Sequence, residues 1–178
     1  MEKNLTKRRM ADAFRQLMDK KAFSSISISD ICDECGMHRK SFYYHFKDKY
    51  DLVAWIYNDD VGCNDDGPSS MQDALSRLEW MLNYLHNNRE YYSKLLHIEG
   101  QNSFREHFSH HVEESVSKIL TEMFPDETIE GYQVEFVAQG MVSVVLQWVK
   151  DKDEISPQQL SDRLVSCYRL IGRLREKL

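Results

Sequence analysis

Residues 38–50 read HRKSFYYHFKDKY, a density of aromatic and basic side chains too wet for a core and too apolar for an ordinary surface. Arg39 and Lys40 can donate to guanine O6 and N7, and the Tyr44 ring can lie against a thymine methyl. Ser41, Tyr43 and His45 carry short or rigid hydrogen-bond donors suited to phosphate oxygens, which position a protein on a duplex without reading its sequence. Lys49 falls in the first turn of a following helix, where the dipole disfavours a cation. A phosphate facing that helix end would explain it. Phe42 and Phe46, four residues apart, are left to anchor the segment to its own domain.

Two other clusters invite chemistry. Cys32-Asp-Glu-Cys35 is a CxxC, but zinc needs two further ligands at suitable spacing and a redox pair a thioredoxin-like context. Both cysteines are therefore read as small buried hydrophobes. His107 and His111 stand four apart on one helix, with His110 beside them and Glu114 three residues on, a spacing that suits a shared metal. Without an HExxH context they read as a solvated or pocket-lining face. No Gly-x-Ser-x-Gly elbow and no glycine-rich phosphate loop occurs. The expectation is no catalytic residue, no metal and no cofactor, hence no enzyme.

The elements that would position these residues are all helical. Met10, Ala13, Phe14, Leu17 and Met18 make an apolar stripe on a first helix running to about Lys21. Ser27 with Asp30 forms a capping box for a second helix, and Gly36 suits the left-handed position that ends it. A third short helix covers about His38–His45. Asp48 caps a fourth, with Asp51 at its third position and Leu52, Val53, Trp55 and Ile56 as its apolar residues. Two short helices joined tightly through Gly36 make a helix-turn-helix, whose second helix enters the major groove.

Near Gly62–Ser70 the texture changes to GCNDDGPSS, turn-rich and the boundary between a head and a body. Beyond it, Leu75, Leu78, Leu82 and Leu85 mark a helix over Met71–Asn87, and a shorter one covers Arg89–His97, ended by Gly100. Asn102 caps a helix through Met123, stopped by Pro125. Ile129–Lys150 is apolar nearly all round, with a polar seam at Glu135, Gln139, Ser143 and Gln147. Ser156-Pro157 opens a last helix with Leu160, Leu164, Tyr168, Ile171 and Leu174 on one stripe. The fold expected is all-α, about nine helices: an N-terminal three-helix helix-turn-helix head and a C-terminal helical bundle.

Charge follows the same division. Residues 1–50 hold 11 Lys+Arg against 7 Asp+Glu, and the remainder 12 against 22, giving +4 and −10 within the net −6. A basic head on an acidic body suggests a polyanion partner for the head alone. The seam in Ile129–Lys150 argues against a membrane span. No apolar stretch follows the basic N-terminus, so no signal peptide is expected. Four cysteines without a secretion signal are expected to be reduced, and the protein cytoplasmic.

GMHRKSFYYHFKDKYDL, preceded by SISISDICDEC, resembles the DNA-binding head of the TetR family of bacterial one-component transcription regulators. The matching elements are the Ser27 cap, Asp30-Ile31, Gly36, the run Phe42-Tyr43-Tyr44, Phe46, Lys49 and Leu52. The resemblance covers about residues 5–55 closely, and the rest in size and helix count. It implies phosphate contacts at Ser27, Ser41, Tyr43, His45 and Lys49, and base contacts at Arg39, Lys40 and Tyr44. His38 stands at the recognition helix's N-cap, where Ser or Thr is more usual in the family, and joins the DNA-binding candidates. The short, aromatic-rich body looks like the branch that includes dihydroxyacetone-kinase regulators, which act with a separate coactivator protein.

Residues 1–50 are thus assigned to DNA binding, and 51–178 to effector binding and dimerisation. Trp80, Tyr84, Tyr91, Phe104, Phe108 and Met141 are the candidates for an effector pocket, core packing being the alternative for each. The last two helices carry more apolar surface than one bundle can cover. A homodimer through them would match a palindromic operator in double-stranded DNA. The function expected is a ligand-responsive regulator controlled by a small-molecule effector or a protein coactivator. The alternatives are a protein-interaction module with vestigial DNA binding, or a metal-binding helical protein.

Overall fold

The computed structural model describes residues 2–61, 70–96, 104–151 and 155–175, with side chains except at 2, 3, 168 and 170–175. Among these residues there are nine α-helices and one 3-10 turn, and no strand. The helices are α1 (Glu2–Lys20), α2 (Ile28–Cys35), α3 (Arg39–His45), α4 (Lys49–Val61), α5 (Met71–Asn87), α6 (Arg89–Leu95), α7 (Phe104–Met123), α8 (Gly131–Lys150) and α9 (Pro157–Arg175). The 3-10 turn, Phe23–Ser25, lies between α1 and α2.

The chain forms two compact units: Met1–Asn64 with Glu90–His107, and Asp65–Arg89 with Phe108–Leu178. In packing, α4 and α6 therefore go with the head, a grouping distinct from the functional division expected at residue 50. The turn-rich stretch 62–69, the Asn102 cap and Gly100 lie outside the described residues, as do the side chains of Tyr168, Ile171 and Leu174.

In the first unit the stripe of α1 is fully interior: Met10, Ala13, Phe14, Leu17 and Met18 are all buried. Against it α4 buries Leu52, Val53 and Ile56, while Trp55 stays half-exposed. The fully buried Tyr57 of α4 meets Tyr92 of α6 at 6.3 Å and Phe104 at 5.4 Å between ring centroids. The Arg15 guanidinium pairs with Asp60, whose Oδ2 also accepts from Tyr92 Oη at 3.3 Å.

In the second unit, Leu82 and Leu85 of α5 are buried with Met81, and Leu75 and Leu78 are half-buried. α8 buries Ala138, Val142, Val145, Leu146, Trp148 and Val149, and its polar seam, Glu135, Gln139, Ser143 and Gln147, is exposed throughout. Trp148 lies between two cationic or imidazole groups: His86 stacks at 5.7 Å, and the Arg89 guanidinium sits 4.7 Å from the ring centroid. Ser156 caps α9 as expected. Its Oγ accepts from Gln159 N at 3.2 Å while Gln159 Oε1 accepts from Ser156 N at 2.9 Å. None of the described helices is long and apolar enough to cross a membrane.

Candidate nucleic-acid interface

The helix-turn-helix forms for the reasons its residues suggest. Ser27 Oγ accepts from Asp30 N at 3.1 Å, and Asp30 Oδ2 accepts from Ser27 N at 2.8 Å, closing the capping box of α2. The Asp30 carboxyl is held well below the usual carboxylate range, first by the Lys21 ammonium at 2.7 Å and then by the Ser27 hydroxyl and amide. At the far end Gly36 adopts φ 65°, ψ 36°, the left-handed conformation that glycine enters without a Cβ penalty. Met37 N then bonds back to Cys32 O at 2.8 Å, and Arg9 Nη2 donates to Cys35 O at 3.1 Å. A cation at that position complements the helix dipole.

Cys32 and Cys35 are buried, as expected, and burial pushes both thiols up. A raised pKa makes a thiolate scarce, which suits inert packing. His107 Nε2 lies 3.0 Å from Asn58 Oδ1, and His110 Nε2 lies 3.5 Å from Glu114 Oε1.

α3 is anchored as proposed. Phe42 and Phe46 are buried with centroids 5.6 Å apart, and Phe46 extends the contact to Trp55 at 5.9 Å. Outside them the helix presents Arg39, Lys40, Tyr43 and Tyr44 to solvent, the two tyrosines at 52% and 67% exposure, with the Tyr43 ring edge-on to Phe42 at 5.8 Å. Such exposure of paired large aromatics on a seven-residue helix is what a surface made for contact would show. Arg39 Nη2 lies 3.5 Å from Tyr43 Oη, at the outer limit of a hydrogen bond, so the guanidinium is loosely held. Ser41 and His45 are half-buried, and His45 packs edge-on against Tyr44 at 4.9 Å. His38 is an exposed N-cap with extended backbone and no side-chain capping bond. Ser27 is exposed.

Lys49 departs from the rest. Its Nζ donates to Phe23 O at 2.7 Å and Ile26 O at 2.9 Å, and stands 4.2 Å from the Phe23 ring centroid. Burial lowers its pKa. A lysine in the first turn of α4 is thus accounted for by two backbone carbonyls, without invoking a phosphate. The cap itself is Asp48, whose Oδ1 accepts from Tyr50 N at 2.8 Å and Asp51 N at 2.9 Å. Asp51 reaches past it to Lys47 N at 2.9 Å.

The six effector-pocket candidates divide between the two units. Tyr91 and Phe104 belong to the first unit, both against Tyr92 at 5.1 Å. Trp80, Tyr84, Phe108 and Met141 belong to the second. Trp80 and Tyr84 stack at 5.5 Å on the surface of α5, and Phe108 is fully buried. Met141 lines an open groove of about 740 Å³ with Tyr132, Phe136, Val144, Leu164 and Cys167. Tyr132 and Phe136, at 70% and 74% exposure, make it the most exposed apolar face among the described residues. Met141 stands one turn from Val137 and Val144, which line the same groove.

Residues 11–56 match the model of bacterial regulatory proteins of the tetR family, and residues 72–168 that of a transcriptional regulator C-terminal region. The HTH-type dhaKLM operon transcriptional activator DhaS of Lactococcus lactis subsp. lactis (strain IL1403) is 30% identical over 95 residues. That match spans 53% of the present chain and 51% of the relative, about half of each. A solved structure of the dihydroxyacetone kinase operon activator DhaS has a TM-score of 0.66 over 96% of both chains, at 22% identity. The TetR family repressor AlkX from Dietzia sp. strain DQ12-45-1b, implicated in biodegradation of n-alkanes, has a TM-score of 0.51. It covers 94% of this chain and 95% of its own at 14% identity. These two likenesses show a shared fold. With its helix-turn-helix and the larger part of its remainder both matched, the chain belongs to the TetR family of bacterial transcriptional regulators, DNA-binding proteins that act as dimers.

Proposed function

We propose that the chain is a homodimeric, cytoplasmic regulator in which residues 1–50 read a palindromic operator and residues 51–178 carry dimerisation and effector response. The observation that carries this reading is α3. Two buried phenylalanines hold it, and its outer side presents Arg39, Lys40, Tyr43 and Tyr44 to solvent. Arg39, Lys40 and Tyr44 would meet base edges, while Ser27, His38, Ser41, Tyr43 and His45 would meet the backbone. The exposed face of α8 with Leu164 and Cys167 of α9 would pair with its copy about a two-fold axis.

The effector acts on the body. The exposed Trp80, stacked on the half-buried Tyr84, favours a protein coactivator, since exposed large aromatics are what protein interfaces cover. The name of the Lactococcus relative gives the reading its target: an operon of the dihydroxyacetone-kinase type. Effector control follows if the effector prefers one of two spacings of the heads.

The test is binding to the DNA that flanks the protein's own gene, for wild type and Tyr44→Ala, across a salt series. A linear fall of log affinity with log salt, with one fragment preferred and that preference lost in Tyr44→Ala, is the expected result. Equal affinity of the two proteins for every fragment would remove Tyr44 from base reading. Absence of binding at low salt by a folded dimer, with and without its coactivator, would overturn the proposal.

A further inference from the structure

Lys49 does something other than what its position suggests. Its ammonium lies on the carbonyl of Ile26, which belongs to the peptide bond whose nitrogen is Ser27. That nitrogen donates to Asp30 Oδ2 at 2.8 Å, so the Ile26–Ser27 peptide is gripped at both ends. The second carbonyl, Phe23 O, also receives Ile26 N at 3.1 Å and is thereby part of the same turn. Asp30 is held in turn by Lys21 at 2.7 Å, and Phe23 packs against Tyr50 at 5.0 Å and Phe14 at 6.1 Å. The C-terminus of α1, the 3-10 turn, the N-terminus of α2 and the N-terminus of α4 thus meet at one node.

We propose that Lys49 is a positioning residue for DNA binding and not a phosphate contact: it fixes the Ile26–Ser27 peptide and thereby sets where the N-terminus of α2 stands relative to α3. This rests on the DNA-binding reading above. A phosphate contact keeps its ammonium in solvent with its donors available. Lys49 instead is half-buried, has two of its three donors on carbonyls and lies over an aromatic ring. Hydrogen bonds from an ionised donor are short and strong, as these are. The lowered pKa is the cost of that burial, partly offset by the two carbonyls.

The test compares the full chain with Lys49→Met, which keeps the stem over Phe23 and removes every donor. Lys49→Gln, with a shorter arm and an N–H donor, serves if the methionine variant does not fold. Two quantities are read on folded protein: hydrogen exchange over residues 23–31, and affinity for a mixed-sequence duplex across a salt series. The expected result is faster exchange at Ile26, Ser27 and Asp30, affinity lower by about tenfold, the scale of one charge-assisted hydrogen bond, and an unchanged salt slope. A slope shallower by about 0.9, the signature of one lost phosphate, with exchange unaltered, would make Lys49 a phosphate contact and overturn the proposal. Unaltered exchange with unaltered affinity would overturn it too. If exchange quickens but wild type binds no duplex, the node stands and the DNA-binding reading fails.

Discussion

At the scale of single residues, the node around Ser27 shows what spacing reveals and what it conceals. The capping box of Ser27 and Asp30 was legible because a helix start leaves N–H groups unpaired, and only short oxygen-bearing side chains at fixed offsets satisfy them. The direction taken by Lys49 was not. A four-carbon arm can turn either way from the same backbone position, and the carbonyls it found lie 23 and 26 residues away. Replacing Ser27 by Ala is expected to cost about 1 kcal/mol in a denaturant titration. Asp30 adds a pH dependence. Its folded pKa lies below the unfolded value, so its stabilisation is present above about pH 4 and lost as the pH falls further. Denaturation midpoints of wild type and Asp30→Ala should therefore differ at pH 7 and converge on acidification; a constant gap down to pH 3 would detach Asp30 from the effect.

At the scale of elements, local punctuation sets where helices begin and end, and apolar periodicity sets which face turns inward. Both were readable for α1, α2, α3, α8 and α9. Gly36 gives a clean case. A Cβ built on it meets no heavy atom within 4 Å, so a substitution there is opposed by backbone conformation alone. Gly36→Ala is expected to lower stability by roughly 1–2 kcal/mol, the cost of left-handed backbone with a Cβ, with an unchanged denaturant slope. What periodicity did not reveal is the cluster of Tyr57, Tyr92 and Phe104, which joins α4 to α6 and the start of α7. Its members come from three separate helices, and a local pattern records that a residue is apolar without naming its neighbours. The same limit applies to the expected effector pocket: bulky residues on four helices were grouped as one lining, and nothing local says which of them share a space.

At the scale of the whole molecule, charge and surface divide the labour. The residues proposed to face a polyanion lie in the basic segment, and the exposed apolar face lies on α8, in the acidic one. Covering Tyr132, Phe136 and Val144 with a second copy removes from water a surface a lone protomer would leave bare. Phe136→Glu is expected to shift sedimentation from dimer to monomer at micromolar concentration and to make the melting temperature independent of concentration. A Phe136→Glu protein that stays dimeric would place the interface elsewhere. The node at Ser27 bears on the order of events in synthesis. Every bond in it joins residues between 21 and 49, the longest spanning 26 positions. Loops that short close at small entropic cost, and contacts of low sequence separation form early. The corner beside the recognition helix is therefore expected to form before α8 has been added, so that each chain would acquire its grip on DNA before it acquires its twin.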